Sequence, residues 1–218
     1  MSTGFDVDEF LSILSHELRN PLNAILGWAT IVARTPGLPE PARQGLAAIE
    51  RNSRIQARLI ADLLDYANFS SGKLRLAVET IDPYPAVCAA LDEVREAAQA
   101  AGATIQSSFA AEGLRIEGDA GRLQQIVRNL LTEAIKVSTP GDTIELTAGR
   151  AENTFRLTAS DGGRGPAALT RREGTVGLGM ALVSQLTELH GGTLRERSAD
   201  QGLGAAFTLD FPLSRADG

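Results

Sequence analysis

Between Phe10 and Gly27, apolar and polar residues separate onto two faces when the chain turns by about 100° per residue. Leu11, Leu14, Leu18, Pro21 and Ile25 fall on one side, and Ser12, His16, Asn20, Asn23 and Gly27 on the other. This pattern predicts an amphipathic helix, starting near Asp6 or Asp8 and running to about Arg34. Pro21 cannot donate to the carbonyl of Glu17, so a kink is expected just beyond His16. Thr35-Pro36-Gly37-Leu38-Pro39 breaks the pattern, and a second helix follows from about Pro41 to Tyr66. Its Leu46, Ile49, Ile60, Leu63 and Leu64 oppose Arg51, Arg54, Arg58 and Asp65, with Ser53 and Gln56 interrupting the apolar side. Two antiparallel helices cannot bury both apolar stripes, so a second copy completing a four-helix bundle is expected.

Past Ser70-Ser71-Gly72, which reads as a linker, the period changes. Lys73–Asp82 alternates like a strand. Pro83–Ala101 reads as a helix, with proline at its start and Gly102 at its end. Strands are expected at Thr104–Phe109 and Leu114–Glu117, a helix at Ala120–Val137, and a hairpin from Asp142–Ala148 and Thr154–Ser160. A helix at Gly177–Leu189 and strands at Thr193–Arg197 and Ala206–Phe211 complete the chain. The whole is predicted as α+β: a helical hairpin over 1–70, then a two-layer α/β sandwich over 74–213 with helices on one face of a mixed sheet.

Composition narrows the partners. The formal net charge is −6 and basic residues are not segregated, so nucleic acid is not an expected partner. The single cysteine, Cys88, lies among alanines; it is expected to be a buried small hydrophobe and excludes an intramolecular disulfide. No apolar run is long enough to span a bilayer and no signal-peptide pattern is present, so a cytoplasmic chain is expected.

Several segments carry chemistry. His16 sits mid-face on the first helix. Its imidazole, with an ordinary pKa of about 6.5, offers a nucleophilic nitrogen at neutral pH. Glu17 can hold or deprotonate the other ring nitrogen, and Asn20 is an uncharged amide one turn on. Farther along, Asp161-Gly162-Gly163-Arg164-Gly165 directly follows a strand, where a carboxylate can accept from an exocyclic amine such as that of adenine. Gly174-Thr175-Val176-Gly177-Leu178-Gly179 opens a helix whose free N–H groups favour phosphate. Gly202-Leu203-Gly204 turns between the last strands. On the helix from Ala120, Arg122, Gln125, Asn129, Glu133 and Lys136 form a polar stripe that reads either as a solvated face or as part of a site. His190-Gly191-Gly192 reads as a helix C-cap with no catalytic part.

The order Ser15-His16-Glu17-Leu18-Arg19-Asn20-Pro21-Leu22 resembles the phospho-acceptor box of two-component sensor histidine kinases. The three glycine segments, taken in order, resemble the glycine boxes of the GHKL ATP-binding fold. Arg122–Ser138 resembles its N box. This resemblance covers about Phe10–Leu213. It implies a phospho-acceptor and dimerisation domain followed by a GHKL catalytic domain, a homodimer, and a response-regulator receiver domain as partner. It also implies His16, Glu17 and Asn20 as catalytic residues. Asn129, Glu133, Lys136, Asp161, Gly163, Gly165, Gly177 and Gly179 would hold ATP, with Asn129 and Glu133 at Mg2+.

Two departures from the family pattern bear on activity. Glu133 stands where a second asparagine is usual in the N box; a carboxylate ligates Mg2+ well but repels a triphosphate without the metal. Only the eight residues Pro166–Glu173 separate Gly165 from Gly174, and this short lid holds no phenylalanine, although Arg164, Arg171 and Arg172 could neutralise phosphates. Three readings therefore stand: an ATP-dependent histidine kinase core; a phosphotransfer protein with a degenerate ATP domain that relays phosphoryl groups between receivers; and a non-catalytic pseudokinase regulator.

Overall fold

The computed structural model describes residues 7–110, 113–160, 177–197 and 206–214, with side chains in the first helix from Glu17 onward. The chain divides into two compact units, Met1–Leu74 and Arg75–Gly218.

The first unit is a hairpin of α1 (Val7–Ala33) and α2 (Glu40–Ser70). Pro21 lies inside α1, which is continuous through it. α2 begins with Pro41 in its first turn, where the missing N–H has no intrahelical partner in any case. The two helices meet through Leu22 and Ala29 on α1, while Ser53 and Asp62 are buried on α2. The apolar face read from the sequence points elsewhere. Leu18, Pro21 and Ile25 stay exposed, as do Ile49 and Leu63 on α2, while Leu46, Ile60 and Leu64 are half-buried.

The second unit is a five-stranded sheet in the order β2 (Thr104–Ala110), β4 (Thr143–Ala151), β5 (Thr154–Ser160), β7 (Ala206–Pro212), β6 (Thr193–Arg197). β2 and β4 are parallel and every other pair is antiparallel, so the sheet is mixed. Burial alternates along β5 and along β4 as far as Ala148, placing Ile144, Leu146, Ala148, Phe155, Leu157 and Ala159 on one face. The helices α3 (Pro83–Ala101), α4 (Ala120–Val137) and α5 (Leu178–Leu189) supply the apolar residues that complete this core, among them Val87, Leu123, Ile126, Leu130, Leu182 and Leu186. Tyr84 meets Phe155 edge-on at 5.7 Å.

Local chemistry sets the helix ends. Asp82 caps α3 by accepting from the Tyr84 N–H at 3.0 Å, and Asp119 caps α4 through the Arg122 N–H at 3.1 Å. Gly102 ends α3 at φ +71°, a left-handed cap that costs other residues strain.

Three expectations need correction. Of Lys73–Asp82 only β1 (Glu79–Ile81) forms a strand, because its one partner, β3 (Ile116–Gly118), is equally short. That partner starts two residues later than the expected Leu114, since Leu114 is already buried and unpaired. Cys88 is exposed, not buried: Ala86, Val87, Ala90, Val94 and Ala98 form the buried side of α3, and Cys88 turns away from it.

Candidate functional site

In the first unit His16, Glu17 and Asn20 share α1 within little more than one turn, and the side chains of Glu17 and Asn20 are exposed. The helical backbone sets the spacing of the three, since residues three and four apart neighbour one another on a helix.

In the second unit the polar stripe of α4 is not a solvated face. Gln125 is 8% exposed and Asn129 5%, so the middle of the stripe is covered, while Arg122 and Glu133 are half-buried and Lys136 is exposed. Arg122 Nη1 donates to Gln125 Oε1 at 2.7 Å. Among the described residues Asn129 Nδ2 is buried with no hydrogen-bond acceptor, a position native structures rarely leave unfilled. One turn on, Glu133 Oε1 accepts from Lys136 Nζ at 2.6 Å.

The stripe meets the N-terminus of α5. A Cβ added to Gly179 would lie 2.9 Å from Glu133 Oε1, and one on Gly177 would lie 3.8 Å from either carboxylate oxygen. A side chain at 179 would press on this carboxylate, which as the tip of a flexible side chain would have to move aside. Gly177 is the N-cap, and among the described residues no side chain caps this end. The Glu133 carboxylate thus lies beside a helix end whose dipole favours negative charge. Asn129, Glu133, Lys136, Gly177 and Gly179 are assembled in one place; Asp161, Gly163 and Gly165, with the short lid, lie outside the described residues.

An uncapped helix end, an unsatisfied buried amide donor and a lysine fit the phosphates of a nucleotide. The Glu133 carboxylate fits a cation and opposes an anion. Among the described residues no group of three or more His, Cys, Asp or Glu gathers as a metal cluster.

Two further residues position this unit. His190 caps the C-terminus of α5; its Nε2 accepts from the Asp119 N–H at 3.1 Å, so Nδ1 carries the proton and donates to the Leu186 carbonyl at 2.7 Å. The ring is fully used in tying α5 to the start of α4, in keeping with a capping role. Asp119, which the sequence reading passed over, accepts from the Arg122 and Ala77 N–H groups. An acidic residue immediately ahead of a helix was the signal that could have found it.

Comparison with known proteins decides the family. Residues 6–72 match the His Kinase A (phospho-acceptor) domain, and residues 118–215 match the histidine kinase-, DNA gyrase B- and HSP90-like ATPase. The chain has the core architecture of a sensor histidine kinase. The chain is 33% identical over 220 residues to the sensor protein DivL of Caulobacter vibrioides, covering 96% of this chain and 28% of DivL. It is 31% identical to the histidine protein kinase DivJ of the same organism, covering 94% of this chain and 36% of DivJ. The full-length ShkA structure in complex with AMPPNP superposes at a TM-score of 0.70 with 26% identity, covering 96% of this chain and 47% of ShkA. The chain thus spans less than half the length of each of these relatives. The α+β fold, a helical hairpin followed by a GHKL-type sandwich, is the shared one. Among the described residues no helix is long and apolar enough to cross a membrane.

Proposed function

We propose that the chain is the core of a dimeric histidine kinase that phosphorylates itself on His16 and passes the group to an aspartate of a response-regulator receiver. The observation that carries this reading is the acceptor helix and the ATPase domain following one another in a single chain. ATP, when bound, supplies the γ-phosphoryl group and leaves as ADP. A ring nitrogen of His16 forms the new N–P bond as the bond from that phosphorus to its bridging oxygen breaks. Glu17 takes the proton released from the other ring nitrogen. Asn129, Lys136 and the N-terminus of α5 would hold the phosphates, with Mg2+ at Asn129 and Glu133. Asp161, Gly163 and Gly165 would line the adenine pocket. Asn20 is left to assist dephosphorylation.

The dimer rests on the uncovered apolar surface of the hairpin. A groove of about 370 Å³ runs between α1 and α2, lined by Leu18, Pro21, Ile25, Leu59, Ile60 and Leu63. Trp28, farther along α1, is 67% exposed. A second copy of the hairpin supplies a matching apolar face, which is the four-helix solution.

A second reading keeps the acceptor and discards the donor: a phosphotransfer protein in which His16 relays phosphoryl groups between receivers. The Glu133 carboxylate over the first turn of α5 favours it, because that position opposes phosphate. Incubation with γ-labelled ATP and Mg2+ separates the two. Label retained by the wild type and lost in His16→Ala supports the kinase. Labelling only from a phosphorylated receiver supports the relay, and label persisting in His16→Ala overturns both.

A further inference from the structure

The Glu133 carboxylate lies against the first turn of α5, its Oε1 2.9 Å from where a Cβ on Gly179 would stand. Glu133 reaches that turn from α4, one helix turn past the buried Asn129. Its side chain is 20% exposed, against 56% for its partner Lys136. An exposed lysine–carboxylate pair at this spacing is ordinarily worth little. Here the carboxylate has a second neighbour, the first turn of α5, where Gly179 leaves no side chain in its way. The charge is placed where leading N–H groups and the helix dipole favour it, and Lys136 adds a cation on the other side. Those same groups are what a phosphate would use.

We propose that Glu133 is a tethered anion seated on the N-terminus of α5, so that a nucleotide polyphosphate enters only by displacing it. Glu133 would then set how strongly the site discriminates against phosphate charge, and would leave recognition of the nucleoside untouched. This role presupposes the nucleotide pocket proposed above.

The test is calorimetric titration of the full chain with AMPPNP and with adenosine, in EDTA and in Mg2+, for wild type, Glu133→Gln and Glu133→Asp. Gln keeps the shape and removes the charge, whereas Asp keeps the charge and withdraws it by one methylene. The expected result is at least about tenfold tighter AMPPNP binding by Glu133→Gln in EDTA, no such gain in Mg2+, where the carboxylate serves the metal, and adenosine affinity unchanged. Asp should stay within about threefold of wild type, because the like charge remains near the phosphates. If adenosine binds but Gln leaves AMPPNP affinity unchanged, the tethered anion is overturned and the pocket survives. Equal gains from Gln and Asp would assign the effect to size and overturn the proposal as well. If neither ligand binds any variant while thermal melting shows all three folded, the nucleotide pocket falls, and the proposal with it.

Discussion

On the open face of the sheet the carboxylate of Asp210 stands between two guanidinium groups. Arg156 Nε donates to Asp210 Oδ1 at 2.6 Å and its Nη2 to Oδ2 at 3.1 Å, while Arg195 reaches Oδ2 from the far side. The strand pairing fixes this arrangement, since Arg156 and Thr193 are the register partners of Asp210 on either side. Burial alone would push the Asp210 carboxyl up. The hydrogen bonds and charges of Arg156 and Arg195 outweigh it and hold the group below its ordinary value. A carboxylate depressed in the folded state contributes stability above its unfolded pKa of about 4, and loses it as pH falls through the lower folded value. Asp210→Asn should therefore destabilise the second unit by about 1–2 kcal/mol at neutral pH, a modest figure because both arginines are substantially solvated. The difference between wild type and variant should shrink as pH drops below about 4. Denaturant melts at pH 7 and at successively lower pH read this directly; a gap that stays constant into acid would remove Asp210 from the acid response.

At the scale of elements the helical hairpin invites the sharpest test. Its groove residues Ile25 and Leu63 are 49% and 40% exposed in the single chain, yet each contributes roughly 1.5–3 kcal/mol when buried. Ile25→Glu or Leu63→Glu should raise the dimer dissociation constant by at least about tenfold, whereas Arg51→Glu, on the opposite side of α2, should leave it unchanged. Light scattering across the micromolar range decides it, and a wild type already monomeric there would refute the dimer. The same hairpin shows what the sequence could and could not reveal. Periodicity located both helices, and the proline start and glycine end of α3 were legible because such end signals are local chemistry. Which stripe of α1 meets α2 was not legible: Leu22 and Ala29 make that contact, while the stronger apolar face is left outward. Alternation at Lys73–Asp82 suggested a strand, but a strand needs a partner, and only Glu79–Ile81 has one. At the site, the α4 stripe could be listed residue by residue, yet its burial depends on what packs over Gln125 and Asn129. The seat of Glu133 on α5 joins segments more than forty residues apart, which no local pattern encodes.

Across the whole molecule the two units are held by different means. The second has a deep core: Phe155, Phe211, Leu146, Leu157 and Leu209 from the sheet, with Leu123, Leu130 and Leu186 from the helices, are essentially fully buried. Such a core can sustain a cooperative fold without a partner. In the first unit the buried apolar side chains among the described residues are Leu22, Ala29 and Leu74, while Trp28, Ile31, Ile55 and Leu59 are more than half exposed. Two helices closed on so thin a seam gain most of their stability from tertiary packing they do not make alone. Binding of a second copy then acts by mass action on the native state of the hairpin, and its stability rises with chain concentration. Scanning calorimetry of the full chain should accordingly resolve two transitions. The one belonging to the hairpin should move to higher temperature over a tenfold rise in concentration and fall in Ile25→Glu. The one belonging to the sheet unit should stay fixed in both comparisons and move in Asp210→Asn instead. A single transition, unmoved by concentration and shifted equally by both substitutions, would mean that the two units unfold as one and that the hairpin does not depend on a second copy.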